Sequence, residues 1–187
     1  MKRVHEYIVH KETMAILNQY DEHGKLCSLV MEEGEIYQVC TSPLTVIKQS
    51  IQYYGGSLNG AILGAKEALG RISMPPVMIN ASQGICWFPS KSITHEDCIW
   101  FAVDHIKDYE PLAGKTLQVH FHNGDSIIIE STYDRFEKKV NRAYKLKNIM
   151  ERRTTGKGLW LYIPKNEFNI IRDAARKHYK LVKRKND

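Results

Sequence analysis

The pattern of hydrophobic and polar positions changes several times along this chain, and each change predicts a different kind of structure. The first forty residues contain short runs rich in β-branched and aromatic residues, which favour β-strands. Three of these runs are HEYIVH, TMAILNQY and EIYQVC, and polar turns with glycine separate them. We therefore expect the chain to begin with several short strands.

Helical spacing follows the predicted strands. Ser42 and Pro43 are favoured at the N-cap and at the first helical position. Apolar side chains then recur every three or four residues up to Gly55, a residue that can end a helix. A second helix is predicted over residues 57–69, although each glycine inside it costs roughly 1 kcal/mol. The predicted unit is two helices joined by a glycine-rich turn.

Extended structure is predicted again over residues 74–130. Three prolines exclude a helix from MPPVMINASQGICWFPS. The run CIWFAVDHI has little alternation, which predicts a strand that is buried on both faces. The segment KTLQVHFHNGDSIIIE predicts a β-hairpin, because Asn123 and Gly124 form the pair that a type I′ turn favours.

The last third of the chain is predicted to be helical. The segment STYDRFEKKVNRAYKLKNIMERR predicts a helix over about residues 134–153. Its predicted apolar face contains Phe136, Val140, Ala143, Tyr144 and Met150. After the glycine-containing TTGKG, Pro164 precedes a last predicted helix over about residues 165–183. The predicted fold class is α+β: a mainly β body with an inserted helical segment and a basic helical C-terminal third.

Composition favours a single globular domain over residues 1–187, with a body over 1–131 and a basic part over 132–187. The 187 residues are 43% hydrophobic, which is enough for a sizeable core. A run of about 18 apolar residues and the apolar core of a signal peptide are both missing. The four cysteines lack CxxC spacing and are expected to be reduced and buried. These features predict a cytoplasmic protein without a membrane partner.

The positive charge is concentrated at one end of the chain. Residues 133–187 contain 17 Lys and Arg against 6 Asp and Glu, a net charge of +11, so the rest of the chain carries −5. This imbalance predicts a polyanionic partner, and a solvated lysine-rich surface is the alternative. Seven cations lie on or beside the polar face of the predicted helix 134–153: Arg135, Lys138, Lys139, Arg142, Lys145, Arg152 and Arg153. Nucleic acid is favoured over a membrane surface, because the apolar face is modest.

The stretch YYGGSLNGAILG has two glycines at the spacing of the first and last glycines of a P-loop. A P-loop also needs a preceding strand, and a Lys followed by Ser or Thr after its last glycine. Ala61 and Ile62 occupy those two positions, which argues against nucleotide binding. The turn could instead hold a nucleic-acid phosphate through backbone N–H groups, Ser57 and Asn59. A purely structural helix junction is the alternative.

Other candidate chemistry has less support from the sequence. His120 and His122 alternate on the predicted hairpin, but no third ligand follows at a zinc-binding spacing. Nothing matches the strand–turn–helix motif that presents a nucleophilic serine. We therefore predict no enzyme activity, no metal and no cofactor, and keep a metal-dependent hydrolase as a remote alternative.

Four segments in the same order resemble the ComK family, the competence transcription factors of Gram-positive bacteria. They are SPLTVIKQSIQYYGGSLNG, ISMPPVMINASQGICWFPS, CIWFAVDHI and STYDRFEKKVNRAYKLKNIMERR. The resemblance extends over about residues 26–165. It implies a DNA-binding activator of DNA-uptake genes, which recognises A/T-rich boxes of double-stranded DNA largely through the minor groove, as cooperating dimers. A diverged paralogue that modulates competence without activating genes is the alternative.

Charge and resemblance together predict the DNA contacts. The glycine-rich turn and the basic helix are expected to supply Tyr53, Gly55, Ser57, Asn59, Gly60, Arg135, Lys138, Lys139, Arg142 and Lys145. The candidates for entry into the minor groove are Arg152, Arg153 and Lys157. Relatives commonly have Arg after the glycine that aligns with Gly60, where this chain has Ala61.

The resemblance also implies a contact with an adaptor of a Clp protease. Family members present a short aromatic and apolar segment with Tyr and Pro near the C-terminus. The corresponding residues here are Trp160, Leu161, Tyr162 and Pro164. Ile163 stands between the tyrosine and the proline and departs from the family pattern.

Overall fold

The computed structural model describes residues 1–155 in full, and the backbone of residues 168–173 and 178–183. By its contacts the chain divides into two compact units, residues 1–157 and 158–187, which are described separately. The predicted fold class, α+β, is confirmed. The extent of the domain as one unit over residues 1–187 stays a prediction.

A seven-stranded sheet forms the centre of the first unit. Its strands are β1 Lys2–Val4, β2 Thr13–Tyr20, β3 Leu26–Glu32, β4 Glu35–Val39, β5 Val77–Asn80, β6 Ile85–Pro89 and β7 Trp100–Ala102. They lie in the order β1-β4-β3-β2-β7-β6-β5. Only β1 and β4 pair in parallel; the other neighbours are antiparallel.

Helices and a smaller sheet complete the first unit. The helices are α1 Pro43–Tyr53, α2 Leu58–Leu69 and α3 Tyr133–Thr154. The smaller sheet contains β8 Ile106–Pro111, β9 Thr116–Phe121 and β10 Ser126–Glu130, in the order β10-β9-β8. A short 3₁₀ helix, Val103–His105, connects β7 to this sheet.

At β6 and β7 the central sheet is buried on both faces, because different layers cover its two sides. On one face Trp87 and Trp100 pack with the apolar side of α1. On the other face Phe88 and Phe101 pack with Phe136 of α3 and with the smaller sheet. Double burial explains why β6 and β7 lack hydrophobic–polar alternation, as predicted for CIWFAVDHI. The regular strand in that run is shorter than predicted and covers Trp100–Ala102.

The predicted start of α1 at Ser42 and Pro43 is confirmed, and a second serine caps α2. The Ser42 hydroxyl accepts a hydrogen bond from the Thr45 N–H at 3.3 Å, and Pro43 is the first residue of α1. The Ser57 hydroxyl caps α2 in the same way, by accepting from the Gly60 N–H at 3.1 Å. These side chains satisfy backbone donors that have no partner inside the helix.

The prediction of a strand at HEYIVH is wrong. The strand lies earlier, at Lys2–Val4, and residues 6–10 form irregular backbone. The side chains of Tyr7 and Val9 are nevertheless buried in the core. The Val9 N–H donates to the Ser50 hydroxyl of α1 at 2.9 Å, so a helix side chain replaces a neighbouring strand as the hydrogen-bond partner.

The predicted hairpin is confirmed, but its turn type is wrong. A type I′ turn needs positive φ at both central residues. Here Gly124 has φ +95°, whereas Asn123 is not among the residues with positive φ. The Gly124 N–H donates to the Phe121 carbonyl at 3.1 Å, as in a type I turn that ends in a glycine bulge. The Asn123 side chain accepts from the Asp125 N–H at 3.0 Å, which stabilises this alternative.

The prediction of a last helix over residues 165–183 is also wrong. The backbone forms a hairpin of two antiparallel strands, β11 Phe168–Asp173 and β12 His178–Lys183. The sequence HYKLVK places Tyr179 and Leu181 two residues apart, and FNIIRD contains two adjacent β-branched residues. Both patterns favour strands, so local β-propensity outweighed Pro164 as a signal for the start of a helix.

The cysteines generate a prediction about thiol reactivity. All four are free; Cys27, Cys86 and Cys98 are buried, and Cys40 is partly exposed. Burial raises the pKa of the three buried thiols, which lowers the fraction of reactive thiolate. We expect an aromatic disulfide reagent to modify one thiol quickly in the native protein, and the other three only after unfolding.

The Cys40→Ser variant is the matched control for this experiment. It should lose the fast phase and keep the three slow thiols. Two or more fast thiols in the native protein would contradict the burial described here.

Candidate nucleic-acid interface

Helix α3 has one buried side and one exposed side. The buried side chains follow helical spacing: Phe136, Val140, Ala143 and Leu146. The predicted face is confirmed except at Tyr144, which is 39% exposed and whose hydroxyl donates to the Val103 carbonyl at 3.0 Å. With this face buried, the helix cannot rotate, and the residues on its opposite side face outwards.

The exposed side of α3 carries two rows of cations, which we call the cation rows. Residues seven apart lie on the same side of a helix, since seven residues make almost two turns. The first row has this spacing and contains Lys138, Lys145 and Arg152. The second row lies beside it and contains Arg135, Arg142 and Arg153. Within residues 1–155 none of these six side chains forms an ion pair with a carboxylate. Their charges therefore remain available to an external anion.

Lys139 differs from its neighbours because its ammonium group is used within the fold. It is partly buried, and its Nζ donates to the Pro89 carbonyl at 3.1 Å. Burial lowers the pKa of Lys139, and the nearby charge of Arg142 adds to the effect. The structure places this predicted DNA contact between α3 and the end of β6.

Lys147 is a second cation of α3 that the fold uses. Its Nζ lies 2.6 Å from Asp104 and 3.6 Å from Glu151. These ion pairs connect α3 to the 3₁₀ helix and neutralise Glu151. Of the acidic residues of α3, only Asp134 and Glu137 then lie near the cation rows, and both are at its first two turns.

Two groups of predicted contacts fall partly or wholly beyond the described residues. Arg152 and Arg153 are exposed in the last turn of α3, where cations interact favourably with the helix dipole. Lys157, the third minor-groove candidate, lies outside the described residues. So do the predicted adaptor contacts Trp160, Leu161, Tyr162 and Pro164.

The predicted contacts of the glycine-rich turn lie together on the surface between α1 and α2. The side chain of Tyr53 is 70% exposed. The other members are also exposed: Gly55, Ser57, Asn59 and Gly60. The Ser57 hydroxyl accepts a hydrogen bond as the cap of α2, so its own hydrogen can still be donated to a phosphate.

Ala61, at the position where the family resemblance implies arginine, follows this turn directly. It is partly buried and packs against the cluster beneath α1. A small side chain at this position serves packing and offers no group to a phosphate. The glycine-rich turn of this chain therefore presents hydroxyl, amide and aromatic groups without a cation from position 61.

The glycine-rich turn and the cation rows lie close to each other. Gly64 of α2 faces Met150 of α3: a Cβ at Gly64 would be 3.9 Å from the Met150 methyl carbon. From this contact, the start of α2 and the last turn of α3 are each only a few residues away along their helices. With a rise of about 1.5 Å per residue and an interaxial distance of about 10 Å, these two points are at most about 25 Å apart. One turn of B-DNA is about 34 Å long, so a single duplex could span both.

A polar groove of about 1000 Å³ runs beside the cation rows, between α3 and the turn that connects β5 to β6. We call it the α3 groove. Its polar walls include Ser82, Gln83, Asn141, Lys145, Asn148 and Arg152. Sequence reasoning missed the four uncharged members of this set. Their only sequence signal is that all four lie in segments that resemble the ComK family.

The two histidines of the hairpin lie at different places on it. His120 lies on β9 with its Nε2 3.4 Å from a Glu110 oxygen, and His122 lies beyond the strand in the turn. Among the described residues there is no group of three His, Cys, Asp or Glu that could hold a metal ion. Nor does that part of the chain contain a helix long and apolar enough to cross a membrane.

The fold and this surface define a basic α+β protein that presents a cationic helix on a doubly covered sheet. The family model described as ComK protein matches residues 4–155, so the chain belongs to the ComK family and the resemblance is confirmed. The chain is 28% identical over 165 residues to the competence transcription factor of Bacillus subtilis (strain 168), which covers 86% of this chain and 85% of that protein. No solved structure matches the chain.

Lys139 generates a prediction about pH dependence. Its folded pKa is below the value in the unfolded chain, so the unfolded state binds more protons as the pH approaches the ordinary lysine pKa of about 10.4. Stability therefore gains from this residue as the pH rises towards that ordinary value. We expect the unfolding free energy of the wild type, relative to Lys139→Met, to increase with this rise in pH in denaturant titrations.

The matched control is Lys138→Met, one residue away on the exposed side. The same pH trend in both variants would show that the burial of Lys139 has no specific effect.

Proposed function

We propose that this protein is a DNA-binding transcription activator of competence genes, which binds A/T-rich boxes largely through the minor groove. The observation that carries the proposal is the pair of cation rows on α3, in a chain that belongs to the ComK family. The relative in Bacillus subtilis is named a competence transcription factor, which supports a regulatory role here.

The cation rows fit the phosphate backbone of DNA. Clustered Lys and Arg release condensed counterions from DNA, which supplies most of the affinity that does not depend on sequence. We assign these contacts to Arg135, Lys138, Arg142 and Lys145, with a smaller contribution from the glycine-rich turn. Lys139 is assigned to the fold instead, because its ammonium donates to Pro89.

Selectivity for A/T-rich boxes would arise at the end of α3. A·T tracts have a narrow minor groove with an enhanced negative potential, which attracts inserted arginine side chains. Arg152 and Arg153 are adjacent, exposed and carried by a rigid helix. Lys157 would extend the same contact.

The remaining parts of the proposal rest on the family. We propose that the protein acts in the cytoplasm at the nucleoid, and that it binds as dimers that cooperate across neighbouring boxes. We also propose that the segment with Trp160, Leu161, Tyr162 and Pro164 contacts an adaptor of a Clp protease.

The selectivity generates a direct binding prediction. We expect the protein to shift a duplex that contains an A/T-rich box at a concentration at least about tenfold lower than a G/C-rich duplex of equal length. Gel-shift titrations at one salt concentration measure this ratio. Equal affinity for the two duplexes would exclude the proposed selectivity.

The phosphate contacts generate a prediction about salt. With four cationic contacts, the logarithm of the binding constant should fall with the logarithm of salt concentration with a slope of about −3.6. Lys138→Met should reduce the magnitude of this slope by about 1, and Lys139→Met should leave it unchanged. Fluorescence anisotropy with a labelled duplex measures all three slopes. A flat slope for the wild type would remove α3 from the interface.

A second candidate function is a modulator that binds DNA without activating transcription. Ala61 favours it, because this chain has a small, partly buried side chain where relatives commonly have arginine. A reporter gene behind an A/T-box promoter separates the two functions. Binding to the promoter without increased expression would support the modulator.

A further inference from the structure

We propose that the α3 groove holds one strand of the DNA duplex, and that Gln83 and Asn148 on its two walls read base edges. The proposal rests on the proposed function, since it assumes DNA as the partner. It adds to that function a second wall of the interface, the turn between β5 and β6, and two residues that determine specificity.

The groove is continuous with the cation rows. Lys145 and Arg152 belong to both, and Asn141 and Asn148 repeat the same seven-residue interval along α3. A strand that contacts the first cation row therefore passes over the two asparagines. Gln83 stands on the opposite wall, exposed at the tip of the turn.

The walls of the groove are held in place before any ligand binds. The Gln83 N–H donates to the Asn80 side chain at 3.1 Å, and the Gly84 N–H donates to the Ala81 carbonyl at 3.2 Å, which fixes the turn. A Cβ at Gly84, whose φ is +71°, would lie 3.0 Å from a Glu151 oxygen. Glycine therefore permits the turn to approach α3 this closely, and a preorganised site loses less entropy on binding.

The charge around the groove selects its occupant. The one acidic residue among its lining residues, Glu151, lies 3.6 Å from the Lys147 ammonium, so the cations Lys145 and Arg152 dominate the local field. A polyanion is therefore the occupant that the charges favour.

The uncharged side chains fit base recognition. Phosphates need cations or N–H donors, which the cation rows already supply. Amides both donate and accept hydrogen bonds. In the minor groove an A·T pair presents only acceptors, and a G·C pair adds the amino group of guanine. An amide N–H that donates to these acceptors in an A·T pair would face the guanine amino group, a second donor, in a G·C pair. Two donors cannot form a hydrogen bond, so Gln83 and Asn148 can discriminate between the two pairs.

The test compares the specificity ratio of variants, defined as the affinity for an A/T-box duplex divided by that for a G/C-rich duplex. We expect Gln83→Ala and Asn148→Ala each to reduce this ratio about tenfold, chiefly through weaker binding to the A/T box. Their salt slopes should equal that of the wild type, since no phosphate contact is removed. Both side chains are exposed, and thermal unfolding checks that the variants are folded.

Gln118→Ala provides the matched control. This amide lies on β9 of the smaller sheet, where it donates to the Ser126 hydroxyl at 3.0 Å, and it is not part of the groove. Its specificity ratio should equal that of the wild type.

The possible outcomes separate this proposal from the proposed function. Unchanged ratios for Gln83→Ala and Asn148→Ala, in a protein that prefers A/T boxes, would overturn base reading in the groove and leave the proposed function standing. Equal losses of affinity for both duplexes would also overturn it, because the groove would then hold only the backbone. A wild type with no preference, or with no DNA binding, would overturn both.

Discussion

The packing of Phe136 against the central sheet is the contact on which the rest of the surface depends. Its ring packs edge-on against three other aromatic rings. The distances between ring centroids are 5.4 Å to Phe101, 5.6 Å to Phe88 and 5.1 Å to Tyr109 of the smaller sheet. Such aromatic pairs each contribute about 0.5–1.5 kcal/mol beyond the burial of their area. Together they join α3 and both sheets into one core and fix which side of the helix faces the solvent.

That fixed orientation gives three lysines of α3 different roles. Lys138 points to the solvent, Lys139 donates to a carbonyl of β6, and Lys147 forms ion pairs with Asp104 and Glu151. Only the first of these belongs to the surface offered to a polyanion. The other two attach the helix to the body and keep that surface rigid, which is the property that a recognition element needs.

The glycine-rich turn illustrates how one motif can serve a fold and a site. Gly55 has φ +84°, which permits the sharp change of direction between α1 and α2. At Gly56 a Cβ would lie 2.9 Å from an Ile51 methyl group, so the turn also packs closely against α1. The resemblance to a P-loop is therefore a consequence of backbone geometry. What the turn can offer to DNA depends on Tyr53, Ser57 and Asn59.

The sequence by itself determined the α+β class, the ends of α1 and α2, the apolar face of α3 and the membership of the ComK family. These features depend on signals within a few residues, such as caps and periodicity, or on motifs that stay in order. Tertiary structure alone decided the turn of the hairpin at Asn123, the partner of Lys139 and the α3 groove. The groove joins Gln83 to Asn148, which are distant in the sequence, and only the packing of a rigid helix beside a strand turn brings such residues together.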